Sequence, residues 1–506
     1  MTKLAIRLHK DDNIAITRMA VRLGGSILGD IVSLDSVPAG HKVAIRPIAL
    51  GEPVSRYGQI IGFATQPIAP GEHVHLRNMA LGDFNKDYAY CQDVKPTEMV
   101  ERPATFQGIR RRDGRVATRN YVGIISTVNC SAHVAQLVAD VFKRNPFTAA
   151  DPLAKFSNVD GVVALTHKTG CGMTGGEPLS MLRRTLGGYA RHANFSHIVV
   201  LGLGCEVNQI GGFIDEQRLA GRVRSMDIQA MGGSRRTVEA AVAFVRDVLA
   251  EANDVRRETV PASELVVGLQ CGGSDGYSGV TANPALGAAS DLVVKNGGTV
   301  ILSETPETYG AEHLLTRRAV SREVGEKLVA LMEWWNAYFE REGAEMNDNR
   351  SPGNKAGGLT TIVEKSLGAM AKAGSTNLVD VVRYAEPVTG PGFVFMDTPG
   401  YDPVSATGQV AGGANLICFT TGRGSVFGCK PAPSIKLATS SALYVRMVDD
   451  MDVNCGTILD GSESVEDCGA RIFDHILRIA SGERTKSEAF DFGAAEFAPW
   501  ILGATV

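Results

Sequence analysis

The phrase Gly71-Glu72-His73-Val74-His75 sets two imidazoles two residues apart, and a near copy of the surrounding stretch (Val37 to Val43 against Ile68 to Val74) carries a third at His41. On an extended strand both members of a His-x-His pair point to one face, a spacing suited to gripping a divalent cation. Histidines that only hydrogen-bond at a surface give the same pattern, so the pair suggests a metal site without deciding it. A second constellation is made of thiols. Four apolar runs end in cysteine: Cys130 after Tyr121 to Thr127, Cys171 after Val162 to His167, Cys205 after His197 to Leu203, and Cys271 after Glu264 to Gln270. Ligands of open α/β sheets sit beyond the carboxyl ends of the strands, where helix N-termini favour anions and thiolates. All four thiols are therefore expected on one rim, with Asn129, His167, Lys168, Glu206, Ser274 and Asp275 beside them. Such cysteines could hold one soft metal ion or an iron–sulfur cluster. None is paired as Cys-x-x-Cys, and a small apolar residue filling space beside glycine reads the same way.

The elements that must position these residues follow from punctuation and period. Residues 1–95 read as short strands broken by Pro38-Ala39-Gly40, Gly51-Glu52-Pro53 and Pro70-Gly71, which predicts a small all-β module. Residues 96–107 are polar, with a proline at 103, and read as a linker. From 108 onward apolar strands alternate with helical stretches, the pattern of parallel sheets covered on both faces. The reading gives a first α/β unit over 108–285, containing all four cysteine-ended strands, and a second over 286–506. The second holds two long glycine-rich loops, Asn349 to Thr361 and Thr398 to Asn415, longer than connections need and so candidates for function.

Composition narrows the class. The chain has 506 residues, 44% hydrophobic and 21% charged, with a formal net charge of −4, which fits a multidomain globular protein and gives no reason to expect nucleic acid. No apolar run approaches the ~20 residues that cross a bilayer, and the first residues lack a signal-peptide pattern, so a cytoplasmic location with reduced cysteines is expected. Gly202-Leu203-Gly204 follows a strand, but the rest of a dinucleotide fingerprint is missing, and Gly353-Asn354-Lys355 is not a phosphate-binding loop. Arg119, directly before a buried strand, and Lys355, set among glycines, are candidate partners for a carboxylate.

Several long segments carry a resemblance: "NYVGIISTVNCSAHVA", "LTHKTGCGM", "LGLGCE", "LQCGGSDGYSGVTANPALGAASDLVVKNGGTVILSETPE", "SPGNKAGGLTTIVEKSLG" and "MDTPGYDPVSATGQVAGGANLICFTTGRGS". In order and over nearly the whole chain they are similar to the altronate and galactarate dehydratases. The resemblance implies an SAF-type (β-clip) N-terminal domain followed by two Rossmann-like α/β units. It also implies elimination of water from a sugar acid, D-altronate first, to a 2-keto-3-deoxy acid, with Fe²⁺ as the usual cofactor. Galactarate or another aldonate or aldarate, and sulfite elimination from sulfolactate, remain alternatives, as do Mn²⁺ or an iron–sulfur cluster for the iron. A non-enzymatic sugar-binding protein is the reading from a different class. For such a reaction the expected roles are metal binding by His73, His75 and His41, or by Cys130, Cys171, Cys205 and Cys271. His167, Lys168 or Asp275 would handle protons, and Arg119, Asn129, Ser274 and Lys355 would bind substrate. A homodimer is the base-rate expectation for assembly.

Overall fold

The structure is a computed structural model that describes residues 4–82, 87–145, 147–148 and 150–505. The N-terminal region is the expected small all-β SAF-type domain. Ala5–Ile6, Ile14–Thr17, Lys42–Ala44 and His73–Val74 form an antiparallel sheet, and Pro53–Arg56, Gln59–Ala64 and Met79–Ala80 form a second. Lys42 pairs with Val74 and Val43 with His73, a register that brings the two repeated phrases side by side.

The first α/β unit is built on four parallel strands in the order Gly161–Leu165, Tyr121–Ser126, Phe195–Gly202, Arg224–Asp227. Every residue of Tyr121–Ser126 is buried, as the unbroken apolar run requires of a strand covered on both faces. The unit hangs from an antiparallel ribbon in which Thr105–Arg110 pairs with Arg257–Pro261, Thr105 lying opposite Pro261, so its chain enters and leaves at one neck.

The second unit is a seven-stranded parallel sheet in the order Leu378–Val382, Gly392–Met396, Thr299–Leu302, Val266–Cys271, Leu416–Thr421, Ser434–Ala438, Val453–Asn454. One strand corrects the sequence reading. Val266–Cys271, assigned above to the first unit, is the central strand of this sheet, hydrogen-bonded to Thr299–Leu302 and Leu416–Thr421. The break between the units therefore falls at the ribbon near residue 261, not at 285. The cysteines separate with it: Cys271 belongs to the second sheet, whereas Cys130, Cys171 and Cys205 stay with the first.

The SAF-type domain is not a loose appendage. Ile14, Ile16, Ala44, Val54, Ile61 and Val74 share one continuous apolar core with Val267, Leu286, Ile362 and Val363. Among the described residues no helix is long and apolar enough to cross a membrane.

Candidate functional site

The three histidines converge. Their ring centroids lie 5.1 Å (His41 and His73), 5.2 Å (His41 and His75) and 5.3 Å (His73 and His75) apart, and His41 Nδ1 stands 3.0 Å from His73 Nε2. The remaining Nε2 atoms of His41 and His75 are 3.1 and 3.0 Å from the backbone carbonyls of Ala356 and Lys355. Donation from Nε2–H to a carbonyl fixes the tautomer and leaves Nδ1 with a free lone pair, the support that metal-bound imidazoles ordinarily receive. Burial, followed by the charges of neighbouring groups, pushes His41 down to about 4 and His73 to about 3, and burial likewise lowers His75. All three are neutral at pH 7, and two nitrogens 3.0 Å apart could both reach one ion at the ~2.1 Å usual for imidazole.

What holds this cluster is a buried ion network. Lys42, next to His41, places Nζ 3.0 Å from Glu364 Oε2 and 2.6 Å from the Gly358 carbonyl, while Arg56 bonds Glu364 Oε1 at 2.7 Å and the Gly276 carbonyl at 2.6 Å. Burial would raise the Glu364 carboxyl, but Lys42 and Arg56 outweigh it and hold it at about 2. The backbones meet closely here. A Cβ on Gly276 would sit 1.9 Å from the Gly40 carbonyl oxygen, and one on Gly358, whose φ is +100°, would sit 2.7 Å from the same atom. Glycine is the one residue that permits both approaches.

The segment Gly272 to Gly276 leads from this interface to a second polar group, at the end of the central strand. Cys271 Sγ accepts from Lys372 Nζ at 2.8 Å and lies 3.5 Å from Glu307 Oε2 and 3.8 Å from Glu304 Oε2. Lys365 Nζ bonds Glu307 Oε1 at 2.7 Å, and Lys372 Nζ reaches Glu304 Oε2 at 3.4 Å. Cys271, Glu304 and Glu307 form the one set of three donors mutually within 4.8 Å among the described residues, so this too could hold a cation, but two ammonium groups already answer its charge. Asp402 joins as the first residue of the helix Asp402–Ala411. Its Oδ2 would lie 2.3 Å from a Cβ at Gly272, so the glycine makes room for it. Burial, then the charge of Glu307, pushes Asp402 up to about 7, and the same causes raise Glu304 well above the carboxylate range. Glu304 has φ +69°, a left-handed conformation rare for a non-glycine residue and typical of functional sites.

Other expected residues lie elsewhere or are already committed. Arg119 spends all five N–H donors on the protein: the Glu488 carboxylate and the carbonyls of Thr118, Ile479 and Glu483. It anchors the fold and has no donor left for a substrate. His167 lies in the first unit, away from the imidazole cluster, with Nε2 2.9 Å from the Ser126 carbonyl and Nδ1 accepting from the Thr169 N–H. Both of its ring nitrogens are thus engaged by backbone groups. Lys168 and Asn129 are exposed on the first unit's rim. Asp275 is buried, and its carboxylate accepts from the Tyr277 and Ser278 N–H groups and the hydroxyls of Ser278 and Thr439, which makes it the clamp of the Gly272 to Ser278 turn. The Ser274 carbonyl accepts from Asn354 Nδ2, and half-buried Lys355 presents its carbonyl to His75, so both border the histidine cluster through the backbone.

Three family models match in register with this architecture. They are the altronate/galactarate dehydratase SAF domain over residues 3–81, the D-galactarate dehydratase/altronate hydrolase second domain over 108–253, and the D-galactarate/altronate dehydratase C-terminal region over 262–505. An altronate dehydratase of Bacillus subtilis is 34% identical over 512 residues, covering 100% of both chains. The chain belongs to the altronate/galactarate dehydratase family. A galactarate dehydratase (L-threo-forming) of Escherichia coli is 39% identical, with 96% of this chain and 94% of the relative covered, and an altronate dehydratase of E. coli is 35% identical over 99% of each.

Within this dehydratase family chain, sequence reading missed Glu304, Glu307, Lys365, Lys372 and Asp402. One signal was available. Lys365 and Lys372 are the two lysines within "TIVEKSLGAMAKAG", a stretch otherwise apolar enough to be buried all round. A buried lysine needs a buried partner.

Proposed function

We propose that this chain is a metal-dependent hydro-lyase that removes water from a six-carbon sugar acid, D-altronate first, to give a 2-keto-3-deoxy acid. What supports the reading is that the Gly272 to Gly276 segment links two groups: at Gly276 it meets Gly40, next to the neutral imidazole of His41, and at Gly272 it meets Asp402, a carboxyl that burial and Glu307 raise to about 7. Two full-length altronate dehydratase relatives support the substrate, and the 39% identity to a galactarate dehydratase makes galactarate the second reading.

His41 and His73 would hold a divalent ion, with His75 beside them as the third imidazole of the cluster. When bound, such an ion supplies Lewis-acid stabilisation of the negative charge that builds on the substrate carboxylate as the C2 proton leaves. Asp402, ionised above pH 7, takes that proton. Lys365 and Lys372 compensate the carboxylates around it, so the incoming proton meets a group that is neither permanently charged nor permanently protonated. The C3 hydroxyl departs as water, its extra proton returned through Asp402, and the enol left behind tautomerises to the 2-keto acid.

The test is incubation with Fe²⁺ and a panel of hexonates and hexarates, with assay for 2-keto acid. No product from any acid sinks the reading. Iron content of His73→Ala and Cys271→Ser proteins locates the ion. Loss of the iron in excess of acid-labile sulfide in the first and its retention in the second is expected, and the reverse moves the ion to Cys271, Glu304 and Glu307.

A further inference from the structure

Cys130, Cys171 and Cys205 take no part in the site above. Of the nine cysteines, five are buried and Cys91 is half-buried, while these three are exposed. Cysteine is among the residues most often buried, so packing does not account for three on one surface.

Their placement is systematic. The strand leading to Cys130 is flanked on either side by the strands leading to Cys171 and Cys205. Ile125 lies opposite Leu165, and Ser126 opposite Leu201, so the three thiols leave the same sheet edge within a few residues of one another in register. Adjacent strands are ~4.8 Å apart, which confines the three departures to a strip roughly 10 Å wide.

The loops are knitted together beneath the thiols. Asn129 N–H donates to the Thr169 carbonyl at 2.9 Å, Asn208 N–H to the Gly170 carbonyl at 3.0 Å, and Asn208 Nδ2 to the Thr127 carbonyl at 3.1 Å. Gly170 has φ +101°, and a Cβ there would lie 2.3 Å from the Thr127 oxygen. Buried Glu206 accepts from Thr127 Oγ1 and from the N–H groups of Leu203 and Gly204, which turns Glu206 inward and leaves Cys205 outward. Gln229 Nε2 stands 3.4 Å from Cys205 Sγ, an N–H to sulfur contact. Cys130 lies in the first turn of the helix Asn129–Asp140, whose first N–H groups have no partner within the helix.

A single ion does not fit, because the three sulfurs are not mutually within 4.8 Å. A multi-iron cluster spans more. We propose that Cys130, Cys171 and Cys205 ligate an iron–sulfur cluster on this rim, three thiolates to a [4Fe–4S] unit whose fourth iron carries no cysteine and takes an oxygen ligand. Soft thiolates select such clusters, and hydrogen bonds to sulfur of the Gln229 kind tune them.

The full-length chain is reconstituted without oxygen using ferrous iron and sulfide. The expected result is about four acid-labile sulfides per chain and about four irons beyond the one held by the histidines, with broad visible sulfide-to-iron absorption and an electron paramagnetic resonance signal on reduction. Cys130→Ser, Cys171→Ser and Cys205→Ser each lower the sulfide content several-fold, while Cys91→Ser and His73→Ala leave it unchanged. Absence of acid-labile sulfide in the unsubstituted chain, or its persistence in the triple serine variant, overturns the cluster. So does a disulfide between two of the three thiols in anaerobically prepared protein. Because 2-keto acid formation is assayed in parallel, a cluster-bearing protein that makes no product removes the dehydratase reading and leaves the cluster standing.

Discussion

Asp402 shares its surroundings with Glu304, Glu307, Lys365 and Lys372, three carboxyl groups against two ammonium groups. One carboxyl is in excess, and Glu304, raised well above the carboxylate range by burial and by Glu307, is the member that keeps a proton; Asp402, partly open to solvent beside Gly272, is the member positioned to exchange one near pH 7. If its ionised form is the base, the rate rises with pH through an inflection near the value of about 7 given by burial and by Glu307, then levels off. Asp402→Asn should lower kcat by about 10²–10⁴-fold, the usual worth of a positioned base, with iron content unchanged. A kcat profile that keeps its inflection near 7 in the variant would assign the titration to another group. Residues of this kind were hard to find from sequence for a physical reason. The His73 and His75 signal is local, a period of two on one strand, whereas the Asp402 group is collected from four chain segments between residues 271 and 402 whose proximity exists only after the sheet has formed. Arg119 shows the converse: a basic residue before a buried strand looks free on paper, and its carbonyl partners at 479 and 483 lie in another part of the chain.

The strands and helices themselves were largely legible, because an unbroken apolar run of five or six residues reads as a strand buried on both faces whichever sheet it joins. Sheet membership was not legible for the same reason: nothing in Val266–Cys271 distinguishes a fourth strand of one sheet from the centre of the next. That information resides in the pairing of Thr105–Arg110 with Arg257–Pro261, a contact across the whole first unit. At this scale the decisive element is the helix Ile362–Met370, which carries Glu364 into a fully buried position between Lys42 and Arg56 of the SAF-type domain. Glu364→Gln leaves two buried cations facing one neutral amide, and removing one partner of a buried pair costs about 3–5 kcal/mol. Thermal denaturation should show a large drop in Tm, while a variant with apolar residues of similar size at all three positions should recover most of it. The pH dependence has a definite sign. Glu364 is held at about 2, below its unfolded value, so its contribution is present above the unfolded pKa near 4.5 and is lost as pH falls toward 2. Acid titration of the Glu364→Gln protein should therefore lack that part of the loss.

On the scale of the molecule, the imidazole cluster is assembled from two separate stretches of chain: its rings come from the SAF-type domain and its carbonyl supports from residues 355 and 356 of the second α/β unit. The same interface holds the Lys42, Arg56 and Glu364 network, the Tyr277 hydroxyl donating to the Thr17 and Arg18 carbonyls, and the shared core of Ile14, Ile16, Val54 and Ile61 with Ile362 and Val363. None of these contacts depends on the covalent link through residues 96–104, which adds only effective concentration. Co-expressed fragments 1–95 and 96–506 should therefore co-purify, unfold in one cooperative transition and retain iron. The fragment 96–506 alone should lose the iron held by the histidines, keep acid-labile sulfide, and aggregate, because the apolar face formed by Ile362, Val363 and their neighbours has lost its cover. Fragments that separate on dilution in moderate salt would mean that the linker, and not the buried interface, keeps the histidines over the Gly272 to Gly276 segment. The metal site would then be a docking event with its own equilibrium, and activity would depend on protein concentration in the split enzyme but not in the intact chain.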